Sequence, residues 1–449
     1  MSTQTKLTRR QFMTGCSAAI AALAGSQVSS LAFTPDAPNP EAIIVVFLRG
    51  GWDALNVVPP IAAGPDRGYY EAARPALKLA TTGANSALNL DGFFGLHPSL
   101  APLMNLYQAQ RLAIVHAAGL VYDTRSHFDA MQYIETATLG SKTGNGWLTR
   151  YLESLALPSS IALPALSAGG SRAASLIGYP RAVTMSSPSS FNLGGSSTYR
   201  TQQTNAVRTM YGSAADWLDQ AGKETIAAVD LVQTNNIGSY TPANGAFYPA
   251  NSFGSNLKFI AQMIKAGVGL TTATIDLGGW DTHENQGVVP TSYMGALLNT
   301  LARGLAAFHT DLEACGGSTD FNATTTVVVM SEFGRRLKEN ANAGSDHGHG
   351  GVILLLGKPV KGGKVYGQWP GLSNAQLYQG ADLAVTTDYR RVLSEWLRVR
   401  GGRSDPQLST IFPSYTQQAD IGLLHAPAST PAASCVIPRK IYLPLIRRA

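Results

Sequence analysis

Short apolar runs alternate with amphipathic segments along most of this 449-residue chain. The runs are rich in β-branched residues and lack polar interruptions, which is typical of strands buried on both faces of a parallel sheet. They predict strands at residues 42–48, 112–117, 272–277, 324–330 and 352–356. Helical periodicity predicts helices at residues 98–110, 126–138, 147–155, 202–232, 257–265, 293–315 and 388–399. The alternation predicts a doubly wound α/β fold, with a mostly parallel sheet and helices on both faces.

Two stretches interrupt this alternation. Residues 158–200 are dense in Ser, Ala, Gly and Pro, and residues 235–254 in Asn, Pro, Gly and aromatic residues. Both are predicted to be long loops or a small covering subdomain. We therefore predict an α/β domain at residues 40–402 with an insertion at about residues 156–255. Residues 403–449 form a predicted C-terminal extension with a basic tail, which is either a sorting or anchoring signal or a terminal strand packed on the domain.

The amino-terminal segment has the layout of a twin-arginine secretory signal. Arg9 and Arg10 precede an uncharged stretch at residues 14–31, and Ser30-Leu31-Ala32 is a small-residue cleavage site. Residues 1–32 are thus predicted to be a signal peptide recognised by the twin-arginine export machinery. The mature protein would be periplasmic, cell-surface or extracellular, and no later apolar run is long enough to span a bilayer.

The net charge of +6 comes from the two ends of the chain. The leader and the last eleven residues contain no acid, and their basic residues are Lys6, Arg9, Arg10, Arg439, Lys440, Arg447 and Arg448. The region between is close to neutral, which removes the main support for a nucleic-acid-binding face. With one of three cysteines in the leader, the count excludes a disulfide framework.

Acidic residues and histidines stand beside the predicted strands in four short motifs. The motifs are Gly50-Gly51-Trp52-Asp53, Gly279-Trp280-Asp281-Thr282-His283, Ser331-Glu332-Phe333-Gly334-Arg335 and Asp346-His347-Gly348-His349. Ligands of α/β sheets bind beyond the carboxyl ends of the strands. Carboxylates and imidazoles brought together there are what a hydrolytic metal site requires. The predicted metal ligands are Asp53, Asp281, His283, Glu332, Asp346 and His347.

Some of these residues keep alternative roles. Asp53 could simply form a turn, and Glu332 could act as a base or pair with Arg335. Asp346 could orient His347 instead of binding metal itself, and His349 could support the ligands from outside. The guanidinium of Arg335 can hold a phosphate, sulfate or carboxylate through two parallel hydrogen bonds.

Residues 123–129 contain the candidate nucleophile. Ser126, followed three residues later by Asp129, has the pattern of a helix cap, and this structural role alone would explain it. A hydroxyl at a helix N-terminus beside a metal is also how activated nucleophiles are held. Ser126 is therefore the first candidate nucleophile, and Thr124 the second.

In their order along the chain, these motifs resemble the bacterial family known as domain of unknown function 1501. The resemblance also includes Ser126-His127-Phe128 and Gly362-Gly363-Lys364-Val365-Tyr366-Gly367, and it covers about residues 40 to 400. That family is grouped with the alkaline phosphatase and sulfatase superfamily. The resemblance therefore implies an alkaline-phosphatase-like α/β sandwich with a metal centre at the strand ends.

By position, the resemblance implies Asp53 as the early metal aspartate and Ser126 or Thr124 as the nucleophile. It implies Asp281 and His283 as the middle ligand pair, and Glu332, Asp346 and His347 as the later ligands. Two features depart from the superfamily pattern. Only Thr282 separates the middle Asp and His, where three residues are usual, and Glu332-Phe333 replaces a common Asp-His.

We therefore predict an exported metal-dependent hydrolase that acts on a phosphate or sulfate ester, either small or linked to a polysaccharide. It would hold one or two divalent ions. Zinc, manganese and calcium are compatible, and the histidines favour a transition metal. The alternative is a non-catalytic surface or secretion-associated protein in which the same ligands hold a structural metal.

Overall fold

The computed structural model describes residues 40–141, 144–158, 161, 163–186, 197–211, 240–314 and 319–427. The predicted signal peptide, the basic tail and all three cysteines lie outside these residues. Among the described helices, none combines the length and the apolar character needed to cross a membrane.

Thirteen strands and ten α-helices make up the described fold. The strands are β1 Ala42–Arg49, β2 Leu88–Asn89, β3 Gly95–Leu96, β4 Leu112–Gly119, β5 Ala165–Ala168, β6 Ala182–Met185, β7 Thr272–Gly278, β8 Thr325–Ser331, β9 Arg335–Glu339, β10 Ser345–His347, β11 Gly351–Leu356, β12 Lys364–Tyr366 and β13 Thr387–Asp388. The helices are α1 Ala54–Val57, α2 Pro65–Ala73, α3 Met104–Gln108, α4 His127–Thr136, α5 Trp147–Ser154, α6 Arg200–Met210, α7 Ser252–Lys265, α8 Tyr293–Leu312, α9 Tyr389–Val399 and α10 Asp405–Ile411.

Nine of these strands form one mixed, mostly parallel sheet, which confirms the predicted fold class. Its order is β12-β4-β11-β8-β1-β7-β5-β6, and β13 also pairs with β4. β1 lies between β7 and β8 and is parallel to both. β11 differs from the sequence prediction, because it runs antiparallel to both of its neighbours, β4 and β8.

Helices cover both faces of the sheet, as the alternation predicted. Successive side chains of a strand point to opposite faces. Ile44 and Val46 of β1 accordingly pack in the core cluster that contains residues of α7 and α8. Ile43 and Val45 pack in the cluster formed with α4, α5, α9 and α10. Such a double-sided core explains why the strands show continuous apolar runs.

The segment at residues 158–200 was predicted as loops or a covering subdomain, and this is wrong for two parts of it. β5 pairs in parallel with β7, and β6 pairs in parallel with β5, so both extend the main sheet at one edge. Each has four residues, and the sequence of β5 is Ala-Leu-Ser-Ala. Strands of four residues give little periodic signal, and β5 also contains no β-branched residue.

Candidate metal centre

The sequence motifs lie together along the edge of the main sheet at which its parallel strands end. β1, β4, β7 and β8 are mutually parallel in direction, so their carboxyl ends meet at this edge. β11 is antiparallel, and its amino end therefore lies at the same edge, directly after the motif Asp346–His349. The motif after β8 continues into β9, which pairs with β10 in a two-stranded hairpin. Topology thus brings residues from distant parts of the chain to one place.

Glycines allow the close approach of these segments. Gly50 has a φ of +127°, and a Cβ atom there would lie 2.4 Å from the backbone N of Asp281. A Cβ atom on Gly348 would lie 2.4 Å from the carbonyl carbon of Arg335. Any larger residue at either position would push apart the loops that carry the sequence motifs.

Three histidines surround the carboxylate of Asp281. Asp281 Oδ1 lies 3.2 Å from His127 Nε2, 3.1 Å from His283 Nε2 and 3.0 Å from His347 Nε2. The Nε2 atoms of His283 and His347 are 2.9 Å apart. His127, Asp281 and His347 each place one ligand atom within 4.8 Å of the others.

Hydrogen bonds fix which nitrogen of each ring faces this centre. In all three rings Nδ1 contacts an acceptor-only oxygen, so Nδ1 carries the proton and donates. The acceptors are Glu332 Oε1 for His127 (2.7 Å), Asp346 Oδ1 for His283 (2.9 Å) and the carbonyl oxygen of Arg125 for His347 (2.7 Å). In the neutral rings, the Nε2 lone pairs therefore face Asp281 Oδ1.

This donor set fits a divalent metal ion. Lone pairs and a carboxylate oxygen facing each other at 2.9 to 3.2 Å repel one another unless a cation or a proton lies between them. Metal–nitrogen bonds of about 2.0–2.1 Å in a tetrahedral site place ligand atoms about 3.3 Å apart, close to the four distances given above. His127 Nε2 is buried and has no hydrogen-bond partner of acceptable geometry.

Burial and hydrogen bonds shift the pKa values of several side chains in this group. Burial opposes ionisation of Asp281, but the hydrogen bond from Arg335 holds its pKa below the ordinary 3.8. The hydrogen bond with Glu332 raises the pKa of His127, and burial lowers the pKa of His347. The side chains of Asp281 and His283 are 47% and 42% exposed, so the centre is open to solvent on one side.

Glu332 holds the imidazole of His127 in place through a hydrogen bond to Nδ1. Its carboxylate is buried and accepts hydrogen bonds from Gly50 N (2.8 Å), His127 Nδ1 (2.7 Å) and Ser331 Oγ (2.8 Å). Burial would raise its pKa, but these hydrogen bonds outweigh burial and lower it. These contacts are those of an outer partner that orients His127, while direct coordination by Glu332 stays a prediction.

Arg335 is a buried link between the loops. Its guanidinium donates to Asp281 Oδ1 (2.6 Å) and to four backbone carbonyls. The carbonyls belong to Gly50, Gly51 (2.6 Å), Trp280 (3.1 Å) and Ser345 (2.7 Å). These contacts use all three of its nitrogens. They favour positioning of Asp281 over direct contact with a substrate anion, and the oxyanion role stays a prediction.

Asp53 lies in a neighbouring buried network instead of the group around Asp281. Asp53 Oδ2 accepts from Arg74 Nη1 (2.5 Å) and from Gln286 Nε2 (2.7 Å). Arg74 also donates to the carbonyls of Arg336 and Leu337 in β9. The structure therefore gives Asp53 a buried ion pair, and its role as a metal ligand stays a prediction.

The hydroxyls of the two candidate nucleophiles accept backbone hydrogen bonds at the start of α4. Ser126 is the N-cap of α4, and its Oγ accepts from Asp129 N at 3.4 Å. Thr124 Oγ1 accepts from Ser126 N at 3.2 Å. Ser126 directly precedes His127, so its hydroxyl belongs to the loop that borders the centre. His349 stacks on Tyr378 with ring centroids 4.1 Å apart, next to the ligand loop.

His127 is the site residue that the sequence prediction did not assign. The Ser126-x-x-Asp129 pattern predicts a helix cap, and it gives His127 no role beyond that of a neighbour of Ser126. A usable signal was nevertheless present, because this segment follows β4 and therefore lies at the same sheet edge as the other motifs. A histidine in the first turn of a helix at that edge was a candidate ligand.

Comparisons with known proteins give one family and one distant structure. The model of the family described as "Protein of unknown function (DUF1501)" matches residues 40–403. No curated protein sequence matches the chain. The crystal structure of the lipoteichoic acid synthase LtaP from Listeria monocytogenes is similar over 75% of this chain and 70% of that one, with 10% identity and a TM-score of 0.31. A TM-score this low supports no conclusion about activity.

Proposed function

This chain belongs to the DUF1501 family, and from that premise we propose that it is an exported metal-dependent hydrolase of phosphate or sulfate esters. The observation that carries the proposal is the convergence of His127, His283 and His347 on Asp281 Oδ1 at the strand ends. Each imidazole has its Nδ1 engaged by an oxygen, which is the usual support of a metal-binding histidine.

The proposed centre holds one ion, because Asp281 gathers a single set of donors. Imidazole nitrogens with one carboxylate favour zinc or manganese over calcium, which prefers six or more oxygens. An ion bound there supplies Lewis-acid polarisation of the ester and a lowered pKa for bound water. Arg335 holds Asp281 in its charged form, and Glu332 and Asp346 orient the imidazoles of His127 and His283.

The nucleophile in this proposal is Ser126, with Thr124 as the second candidate. Ser126 stands at the N-terminus of α4, where backbone N–H groups favour a developing negative charge. Because its hydroxyl also caps the helix, Ser126→Ala is expected to cost about 0.5–2 kcal/mol of stability whether or not it attacks the ester.

The test is turnover by the purified protein on aryl phosphate and aryl sulfate esters, together with its metal content. Asp281→Ala is expected to remove both metal and turnover, and Ser126→Ala to remove turnover alone. Glu284→Ala, which removes an exposed acid on the same loop, is the matched control and should change neither. Bound metal without turnover on any ester would support the non-catalytic metal-binding protein instead. Asp281→Ala with full metal content would refute the site.

Export through the twin-arginine route is part of this proposal, supported by the sequence of residues 1–32. Fractionation of cells that produce the wild type should find the protein outside the cytoplasm. Replacing Arg9 and Arg10 by lysine should retain it inside. Equal export of the variant would refute this route.

A further inference from the structure

We propose that Gln286 is a positioning residue that holds the two ligand-bearing segments, residues 281–283 and 345–347, at the spacing a metal ion requires. The inference rests on the proposed metal centre. Gln286 is fully buried and contacts neither the three histidines nor Asp281 through the hydrogen bonds of its side chain.

The amide of Gln286 joins the two segments through one atom. Gln286 Oε1 accepts from Thr282 Oγ1 at 2.7 Å and from Ser345 Oγ at 2.7 Å. Thr282 stands between the ligands Asp281 and His283, and Ser345 immediately precedes Asp346. A shift of either segment would lengthen one of these two short bonds. We call this arrangement the Gln286 bridge.

Asp53 fixes the orientation of the Gln286 bridge. Gln286 Nε2 donates to Asp53 Oδ2 at 2.7 Å, and a carboxylate can only accept, so the amide nitrogen must face it. The amide oxygen is thereby turned toward the two hydroxyls. Asp53 is itself held by the buried guanidinium of Arg74. The acidic residue of the Gly-Gly-Trp-Asp motif would thus serve the centre through Gln286, without touching the ion.

Backbone hydrogen bonds also join the two segments, but they do not fix the side chains of Thr282 and Ser345. Ser345 N donates to the carbonyl of Thr282 at 3.0 Å, and Gln286 N donates to that of Ala343 at 3.0 Å. The Gln286 bridge adds side-chain contacts next to the ligands themselves. Outer contacts of this kind typically change metal affinity by about 10- to 100-fold when they are removed.

The experiment measures Co²⁺ binding to the purified full chain, by competition with a chelator and by the visible absorption spectrum of the bound ion. Gln286→Met keeps the approximate volume and removes all three hydrogen bonds. Thr282→Val is nearly isosteric and removes one. Asn322→Ala is the matched control, since it removes a buried amide hydrogen bond to the carbonyl of His309 at the opposite end of β8.

Gln286→Met is expected to weaken Co²⁺ binding about 10- to 100-fold and to alter the spectrum, since the spectrum reports ligand geometry. Thr282→Val should weaken binding less, and it should add nothing in the Gln286→Met background. The control should bind Co²⁺ as the wild type does. If Gln286→Met does not fold, Thr282→Val decides the question by the same two measurements.

Unchanged Co²⁺ affinity and spectrum in Gln286→Met would overturn the positioning role of the Gln286 bridge and leave the metal centre in place. If Gln286→Met does not fold, the same result in Thr282→Val would do so. Equal weakening by Asn322→Ala would also overturn it, because loss of any buried amide would then suffice. A wild type that binds no Co²⁺ would refute the metal centre itself and the inference with it.

Discussion

Replacement of Arg335 by lysine separates a positioning role from a catalytic one. The guanidinium donates to five acceptors, which are Asp281 Oδ1 and the carbonyls of Gly50, Gly51, Trp280 and Ser345. A lysine ammonium has only three N–H donors on a single atom. At least two of the five buried or half-buried acceptors would then lose their partner.

The expected loss of stability follows from the number of acceptors that are left unpaired. Each buried polar group left without a partner costs about 1–3 kcal/mol, so two cost about 2–6 kcal/mol of the free energy of unfolding. Arg336→Lys is the matched control. Its side chain is 45% exposed, and a surface substitution of this kind is expected to change stability by less than about 0.5 kcal/mol.

The assay is urea denaturation of both variants, followed by the fluorescence of tryptophans such as Trp52 and Trp280, which lie beside the site. We expect a clearly lower midpoint for Arg335→Lys and an unchanged midpoint for Arg336→Lys. An unchanged midpoint in Arg335→Lys, combined with lost turnover and retained metal, would refute the positioning role. The oxyanion role predicted from the sequence would then be supported.

Three further predictions concern the proposed ligands and their neighbours. Glu332→Gln should weaken metal binding about 10- to 100-fold in a chelator competition. NMR of the metal-free protein should also show a lower pKa for His127 in this variant, because the carboxylate of Glu332 raises that pKa. An unchanged pKa of His127 would contradict this prediction. Metal affinity of the wild type should fall as the pH drops through the raised pKa of His127, since an imidazolium cannot bind metal, and a pH-independent affinity between pH 5 and 8 would contradict it. Asp53→Asn should cost about 3–5 kcal/mol of stability, because it leaves the charge of Arg74 buried without a partner. Elemental analysis should find an unchanged metal stoichiometry in this variant. Loss of the metal at full stability would instead identify Asp53 as a ligand.

The buried strands were predictable because burial on both faces leaves a continuous apolar run. β1 and β8 begin and end within one residue of the predicted ranges. The direction of β11 was not predictable in the same way. An apolar run looks the same whether its neighbours are parallel or antiparallel, and pairing is decided by distant parts of the chain.

The convergence of the candidate residues was predictable where topology alone determined it. Asp281 and His283 follow β7, and His347 precedes β11, so the sheet brings them to one edge. Asp53 follows β1 in the same way, yet its carboxylate pairs with Arg74, 21 residues further on. The pattern of the sequence gives no sign of that partner, because the contact depends on how the buried C-terminal end of α2 packs against β9.

The roles of Glu332 and Arg335 depend on burial, which a motif does not specify. Glu332 and Arg335 were predicted respectively as ligand or base and as anion holder. Both are nearly inaccessible, and their hydrogen bonds are with His127, Asp281, the hydroxyl of Ser331 and the backbone. A buried charged side chain needs fixed partners, and these partners are found only once the loops are folded together.

The central claim is that His127, Asp281, His283 and His347 bind one metal ion. The most direct measurement is the metal stoichiometry of the purified protein after equilibration with zinc or manganese, compared with that of Asp281→Ala and His347→Ala. We predict one tightly bound ion per chain in the wild type and its loss in both variants. A wild type that retains neither metal, or variants that retain a full equivalent, would contradict the account.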